Sequence, residues 1–186
     1  MIEEAIIELR AGFVVGLPTD TLYGLAVDPH NELSVERLFE MKGRPSSKPV
    51  SLLVASVEAA EEIIELSPDA KLIASKYWPG AVTLVGHPRT VFPPWIGELT
   101  SRTVGVRVPD QRDALSILEV MGALAVTSAN ISGQPETLSD REAQAVFGAS
   151  VALYVPGVCL GAVASTVVDV TGSPRVLRQG PVDPTP

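Results

Sequence analysis

The chain has 186 residues and an acidic balance, with 14 Lys and Arg against 22 Asp and Glu and a net charge of −8. At 46 % hydrophobic residues it is too apolar for a disordered polymer and long enough to bury a core without disulfides or metal. Its single cysteine, Cys159, excludes an internal disulfide and fits a reducing compartment, and the acidic total excludes a surface coated for nucleic acid while leaving room for a local basic groove. No apolar run approaches the roughly 20 residues that span a bilayer. The opening MIEEAIIELR is acidic and amphipathic, unlike a secretory signal. The expected location is cytoplasmic, with no membrane partner. His30 and His87 lack ligand spacing, so no protein-held metal is expected.

Ile2, Ile6, Ile7 and Leu9 mark a short amphipathic helix with Gly12 at its end. Residues 13–17 form an apolar strand. Residues 18–25 mix polar and apolar groups around Pro18 and Gly24 and read as a loop leaving a strand end. A helix over residues 34–41 stops at Gly43, and residues 50–55 are the next strand. Ser56 caps a helix bearing Ala59, Ala60, Ile63 and Ile64, and Ser67-Pro68-Asp69 starts another that ends before Trp78-Pro79-Gly80. Strands follow over residues 81–85 and 103–108, separated by a Pro-rich loop with Trp95. Asp110 and Asp113 read as a capping pair for a helix ending near Gly122. A short strand over residues 124–126 leads to Thr127-Ser128-Ala129-Asn130, and Ser139 with Glu142 forms a capping box for a helix ending at Gly148. Residues 151–155, 165–170 and 175–177 are the last strands, and the tail from residue 180 is expected to fray. Irregular alternation of strands and helices predicts one α/β domain over residues 1–186, a twisted mixed sheet flanked by helices.

One loop stands apart. Lys42-Gly43-Arg44-Pro45-Ser46-Ser47-Lys48-Pro49 places three cations between a helix and a strand in an acidic chain. Loops between scaffold elements are where anion-binding residues are found, although a solvated basic turn fits this stretch equally. Further polar groups fall at strand ends: Thr19, Thr21, Arg107, Thr127 to Asn130, Ser165 and Arg178. Open sheets bind ligands there. Each alone has a plainer reading, Thr21 and Asn130 in turns, Ser165 opening a strand, Arg107 pairing with an exposed acid. Asp20 and Asp28 read as turn or capping residues. No phosphate loop, dinucleotide fingerprint or nucleophile elbow occurs.

Together, PTDTLYGLAVD, KGRPSSKPVSLLVA, YWPGAVTLV, TVGVRVPD, TSANISGQP and STVVDV with VLRQG occur in order from about Val14 to Gly180. This series resembles the signature blocks of the YrdC/Sua5 family of L-threonylcarbamoyladenylate synthases, in its short YrdC form. The resemblance implies a YrdC-like fold with a concave basic site. It implies a nucleotidyltransferase that joins L-threonine, bicarbonate and ATP, with Mg²⁺, into threonylcarbamoyl-AMP and pyrophosphate. A partner tRNA threonylcarbamoyl transferase complex would then modify adenosine 37 of tRNA. Carried over by motif, Lys42 and Arg44 are catalytic, and Lys42, Arg44, Lys48, Thr103, Ser128, Asn130 and Arg178 hold ATP. Thr21, Tyr23, Arg107, Thr127 and Ser165 hold threonine, Arg107 on its carboxylate, and Thr21 or Ser165 meets its hydroxyl. Lys48 stands where longer relatives often have Asn, and Leu53 where some have His. The alternatives are an RNA-binding module, with weak RNA binding through a basic face, and a YciO-like or carbamoyl-adenylate paralogue.

Overall fold

A computed structural model describes residues 1–43, 50–93, 95–98, 100–161 and 163–184. The elements run α1 (Ile2–Arg10), β1 (Val15–Leu17), β2 (Gly24–Val27), α2 (Glu32–Lys42), β3 (Ser51–Leu53), α3 (Val57–Ile63), α4 (Pro68–Tyr77), β4 (Val82–Gly86), β5 (Val104–Arg107), α5 (Arg112–Met121), β6 (Leu124–Ser128), α6 (Asp140–Phe147), β7 (Leu153–Tyr154), β8 (Thr166–Asp169) and β9 (Arg175–Arg178). The strands form one sheet in the order β7-β1-β2-β6-β3-β5-β4-β8-β9. Pairs β1–β7, β3–β5 and β4–β8 are parallel and the others antiparallel, so the sheet is mixed, as expected.

Helix ends follow the local chemistry. The side chains of Ser56, Ser67 and Ser139 accept hydrogen bonds from Ala59 N, Ala70 N and Glu142 N, satisfying first-turn donors that have no partner within the helix. Glu142 Oε2 accepts from Leu138 N at 2.7 Å, reaching one residue further back than a capping box requires. Helix α2 stops because Gly43 enters the left-handed region at φ 56°, which lacks a steric penalty only for glycine.

Strand period 2 sorts the core into two layers. On one face Val14, Leu25, Val27 and Leu52 join a cluster with Val35, Leu38, Ile63, Ile73 and Ala143 from α2, α3, α4 and α6. On the other, Val15, Leu17, Ala26, Leu53 and Leu124 pack with Ala5, Ile6, Leu9, Ala114, Ile117 and Leu118 from α1 and α5. Helices α1 and α5 therefore cover the second face over β1, β2, β6 and the end of β3. Further along that face lies a cavity.

Four expectations need correction. The loop read over residues 18–25 ends early: Gly24 and Leu25 belong to strand β2, because β1 and β6 both pair with them. The first strand begins only at Val15, and Phe13 is partly exposed beneath Arg37, whose guanidinium lies 5.5 Å from the ring centroid. Helix α5 is capped by Gln111, which accepts from Ala114 N at 2.7 Å; Asp110 N instead donates to Asp20 Oδ1. The tail does not fray over its described part. Thr166 Oγ1 accepts from Gly180 N and Val182 N and donates to Val182 O, and Tyr77 OH donates to Asp183 O.

Candidate active site

The cavity encloses about 490 Å³, within the range of small-molecule sites. Its floor is read off the strands two residues at a time: Ser51 and Leu53 on β3, Thr83 and Val85 on β4, Gly105 and Arg107 on β5, Val126 and Ser128 on β6. Ser165 and Val167 continue it along β8. Two strands break this rule: on β6 Thr127 joins Val126 and Ser128 in the lining, and β9 departs from it as well. Its pairing with β8 shifts register between Val167 and Val168, and two consecutive residues, Leu177 and Arg178, reach the cavity, as an irregularity of this kind allows. Gly105 keeps the floor low: a Cβ there would stand 2.9 Å from Ser51 Oγ and 3.3 Å from Thr83 Cγ2.

Arg107 dominates one end. It is 6 % exposed, and each side of its guanidinium is held: Nε donates to Gly80 O, Nη1 to Thr21 Oγ1 at 2.9 Å, and Nη2 to Asp20 Oδ1. The Trp78-Pro79-Gly80 turn thus supplies an acceptor for the arginine. Burial works against the charged guanidinium, and the Asp20 carboxylate works for it. An arginine has five N–H donors; three are used, leaving two for a ligand. The plainer expectation for Arg107, pairing with an exposed acid, holds only as to the pairing, because the acid is just 15 % exposed and the arginine also lines the cavity. Asp20, read as a turn residue, is the partner.

The loop before β2 is tied to itself. Thr19 Oγ1 accepts from Thr21 N and Leu22 N and donates to Leu22 O at 2.7 Å. Its 3.0 Å contact with Thr21 Oγ1 is then donated by Thr21, whose hydroxyl also accepts from Arg107. Thr21 lines the cavity, but its one hydrogen is committed within the protein. Cys159 Sγ accepts from Thr19 N at 3.4 Å behind this loop, and burial raises its thiol above the ordinary value.

Of the sequence-derived site residues, Thr21, Thr103, Arg107, Thr127, Ser128, Ser165 and Arg178 meet around this one cavity. Three are not in its lining. Lys42 is 1 % exposed, and its ammonium donates to the carbonyls of Ser128 and Asn130 and to Asn130 Oδ1. Asn130 is held at both ends of its amide: Oδ1 also accepts from Ser128 Oγ at 2.7 Å, and Nδ2 donates to Gln134 O at 2.6 Å. Both stand behind the wall and shape it. Tyr23 points to the other face, where its hydroxyl donates to Val155 O at 2.7 Å; period 2 sends it away from Gly24. Burial raises the Tyr23 phenol far above its ordinary value, so it remains neutral. Tyr23→Phe is expected to cost about 1 kcal/mol of stability in urea denaturation and to leave amino-acid affinity unchanged; a threefold loss of affinity would return it to the site. Arg44 and Lys48 lie outside the described residues. Among the described lining residues the cations are Arg107 and Arg178, opposed by Glu98 and Glu136. The last two, with Ser51, Thr83 and Ser101, were missed by sequence reasoning, while Thr19 was among the polar groups expected at strand ends; for Thr83 the only signal was a hydroxyl within an apolar run.

Residues 8–180 match the Sua5–YciO–YrdC family, described as "Telomere recombination". This chain belongs to that family. A Pyrococcus abyssi member named threonylcarbamoyl-AMP synthase is 38 % identical over 185 residues, covering 95 % of this chain and 54 % of its own length. This chain thus spans about half of that protein. The Sua5 of P. abyssi, solved in complex with L-threonine, superposes with a TM-score of 0.88 at 36 % identity, over 96 % of this chain and 54 % of the other. A Vibrio cholerae member of the same name is 32 % identical over 96 % of this chain and 97 % of its own. The family also includes E. coli YciO, whose crystal structure gives a TM-score of 0.89 at 26 % identity, over 98 % and 90 % of the two chains.

Proposed function

We propose that this chain is a threonylcarbamoyl-AMP synthase, a nucleotidyltransferase that forms threonylcarbamoyl-AMP and pyrophosphate from L-threonine, bicarbonate and ATP in the cytoplasm. The product would pass to a tRNA threonylcarbamoyl transferase for modification of adenosine 37. The observation that carries the reading is a substrate-sized cavity with a buried arginine at one end, in a chain that matches synthases along most of its length.

The chemistry suits these residues. Two N–H donors of Arg107 remain for a carboxylate, presented as the planar fork that guanidinium offers. The carbamate of the bound amino acid attacks the α-phosphorus of ATP, its oxygen–phosphorus bond forms, and pyrophosphate leaves in line. Arg178, Ser128 and Thr103 are assigned to the nucleotide. Arg44 and Lys48 are assigned to the phosphates by motif alone. Lys42 and Asn130 are assigned to holding Ser128 in place. Mg²⁺ fits as a companion of the triphosphate. Among the described residues no three His, Cys, Asp or Glu side chains converge, while Glu98 and Glu136 border the cavity. Mg²⁺ is commonly held by phosphates, water and one or two carboxylates. When bound it neutralises charge on phosphate oxygens. Little proton transfer is asked of the protein once the carbamate exists, which agrees with a lining free of histidine among the described residues.

The test is pyrophosphate release with ATP and Mg²⁺. Release that requires both bicarbonate and L-threonine supports the reading. A folded, ATP-binding protein with no threonine-dependent release overturns it.

A further inference from the structure

Thr83 and Ser165 lie on the cavity floor, with their hydroxyl oxygens 2.8 Å apart. They are 3 % and 6 % exposed. Two hydroxyls carry two hydrogens. One is used in the contact between them, and among the described residues no acceptor takes the second. Buried hydroxyls ordinarily find partners, so this pair is built to meet something the cavity receives. Arg178, itself in the lining, donates from Nη2 to Ser165 O at 2.8 Å and reaches Ser165 Oγ at 3.5 Å, which takes up a lone pair of that hydroxyl and leaves the spare hydrogen untouched.

The pair stands beside Arg107. Strands β4 and β5 align Leu84 with Val106 and Val85 with Gly105; the next antiparallel step sets Thr83 opposite Arg107. Directly opposed residues have Cβ atoms about 5 Å apart. A carboxylate on the two remaining Arg107 donors thus brings the side chain of a small amino acid over Thr83. Gly105, which would crowd Thr83 Cγ2 if it carried a Cβ, keeps that space open. Thr21 also borders this end, but its hydrogen goes to Thr19.

We propose that Thr83, paired with Ser165, is the specificity-determining residue that reads the side-chain hydroxyl of the amino acid held by Arg107, an assignment that rests on the synthase reading above. The two hydroxyls together offer one donor hydrogen and free lone pairs, which match a hydroxyl that both donates and accepts. A branched hydrocarbon of the same shape leaves the spare hydrogen unpaired. Sites of this kind discriminate through the group left without a partner.

The experiment is calorimetric titration of the intact protein with L-threonine and L-valine, beside threonine-dependent pyrophosphate release. Thr83→Val keeps volume and removes the hydroxyl. It is expected to lower the ratio of threonine to valine affinity tenfold or more, with ATP affinity within twofold of the parent. Thr83→Ser is expected to restore the ratio relative to Thr83→Val. A ratio within twofold of the parent in folded Thr83→Val overturns the assignment. If Thr83→Val fails to fold, Ser165→Ala takes its place, with the same loss expected and the same unchanged ratio decisive. A parent protein that binds neither amino acid refutes the synthase reading instead.

Discussion

Lys42→Ala is expected to lower the free energy of unfolding by about 3 kcal/mol and to reduce pyrophosphate release at least a hundredfold. The lysine ends α2 with its ammonium buried against the carbonyls of Ser128 and Asn130 and against Asn130 Oδ1. Its own carbonyl accepts from Ser132 N at 2.9 Å. Main chain and side chain together fasten the helix to the end of β6. Alanine leaves Asn130 O without a donor and strips the charged donor from Ser128 O and Asn130 Oδ1, which keep only Asn130 N and Ser128 Oγ among the described residues; an orphaned buried group costs about 1–3 kcal/mol where water cannot replace the partner. Ser128, whose hydroxyl is aimed by Asn130, would lose its place in the cavity wall. Urea denaturation and the pyrophosphate assay read the two effects. Unchanged stability with a raised KM for ATP would instead make Lys42 a direct phosphate contact.

Arg107→Met is expected to raise the KM for threonine at least a hundredfold, equivalent to about 2.7 kcal/mol of binding. It is also expected to destabilise the fold by about 3–5 kcal/mol, because Asp20 would keep a nearly buried carboxylate without its countercharge. Asp20 side-chain exposure is only 15 %, so water screens it little. The two effects separate in the double variant Asp20→Asn/Arg107→Met. Removing both charges is expected to recover most of the stability, since replacing a buried pair as a whole is far cheaper than breaking it. Threonine binding should stay lost. A double variant as unstable as Arg107→Met would place the cost in lost packing around the arginine rather than in the orphaned carboxylate.

The signals legible in the sequence were local. Serines three residues before a free first-turn N–H, Gly43 after a helical face and apolar runs bounded by turns each act within a few residues, so they could be read without the fold. The ordered motif blocks identified the family, and most of the polar residues in them do meet at one cavity. Strand β2 was not legible because Gly24-Leu25-Ala26-Val27 is short and follows a polar loop; it is extended because β1 and β6 pair with it on both sides. The directions of Lys42 and Tyr23 were also out of reach. Both belong to site motifs, but a helix end and a strand face turn them into the protein.

The sequence by itself determined the fold class, the positions of most helix ends and the set of blocks that surround the site. Only the tertiary structure decided which residues of those blocks face the ligand space. It paired Arg107 with Asp20, set Thr83 beside Arg107 across two strands, and placed Lys42 and Asn130 behind Ser128. The physical reason is range: capping and periodicity are contacts between near neighbours, while the site is made by strand register, which brings Arg107 beside Thr83 and Ser51 toward Val126 from distant parts of the chain and depends on every pairing in the sheet.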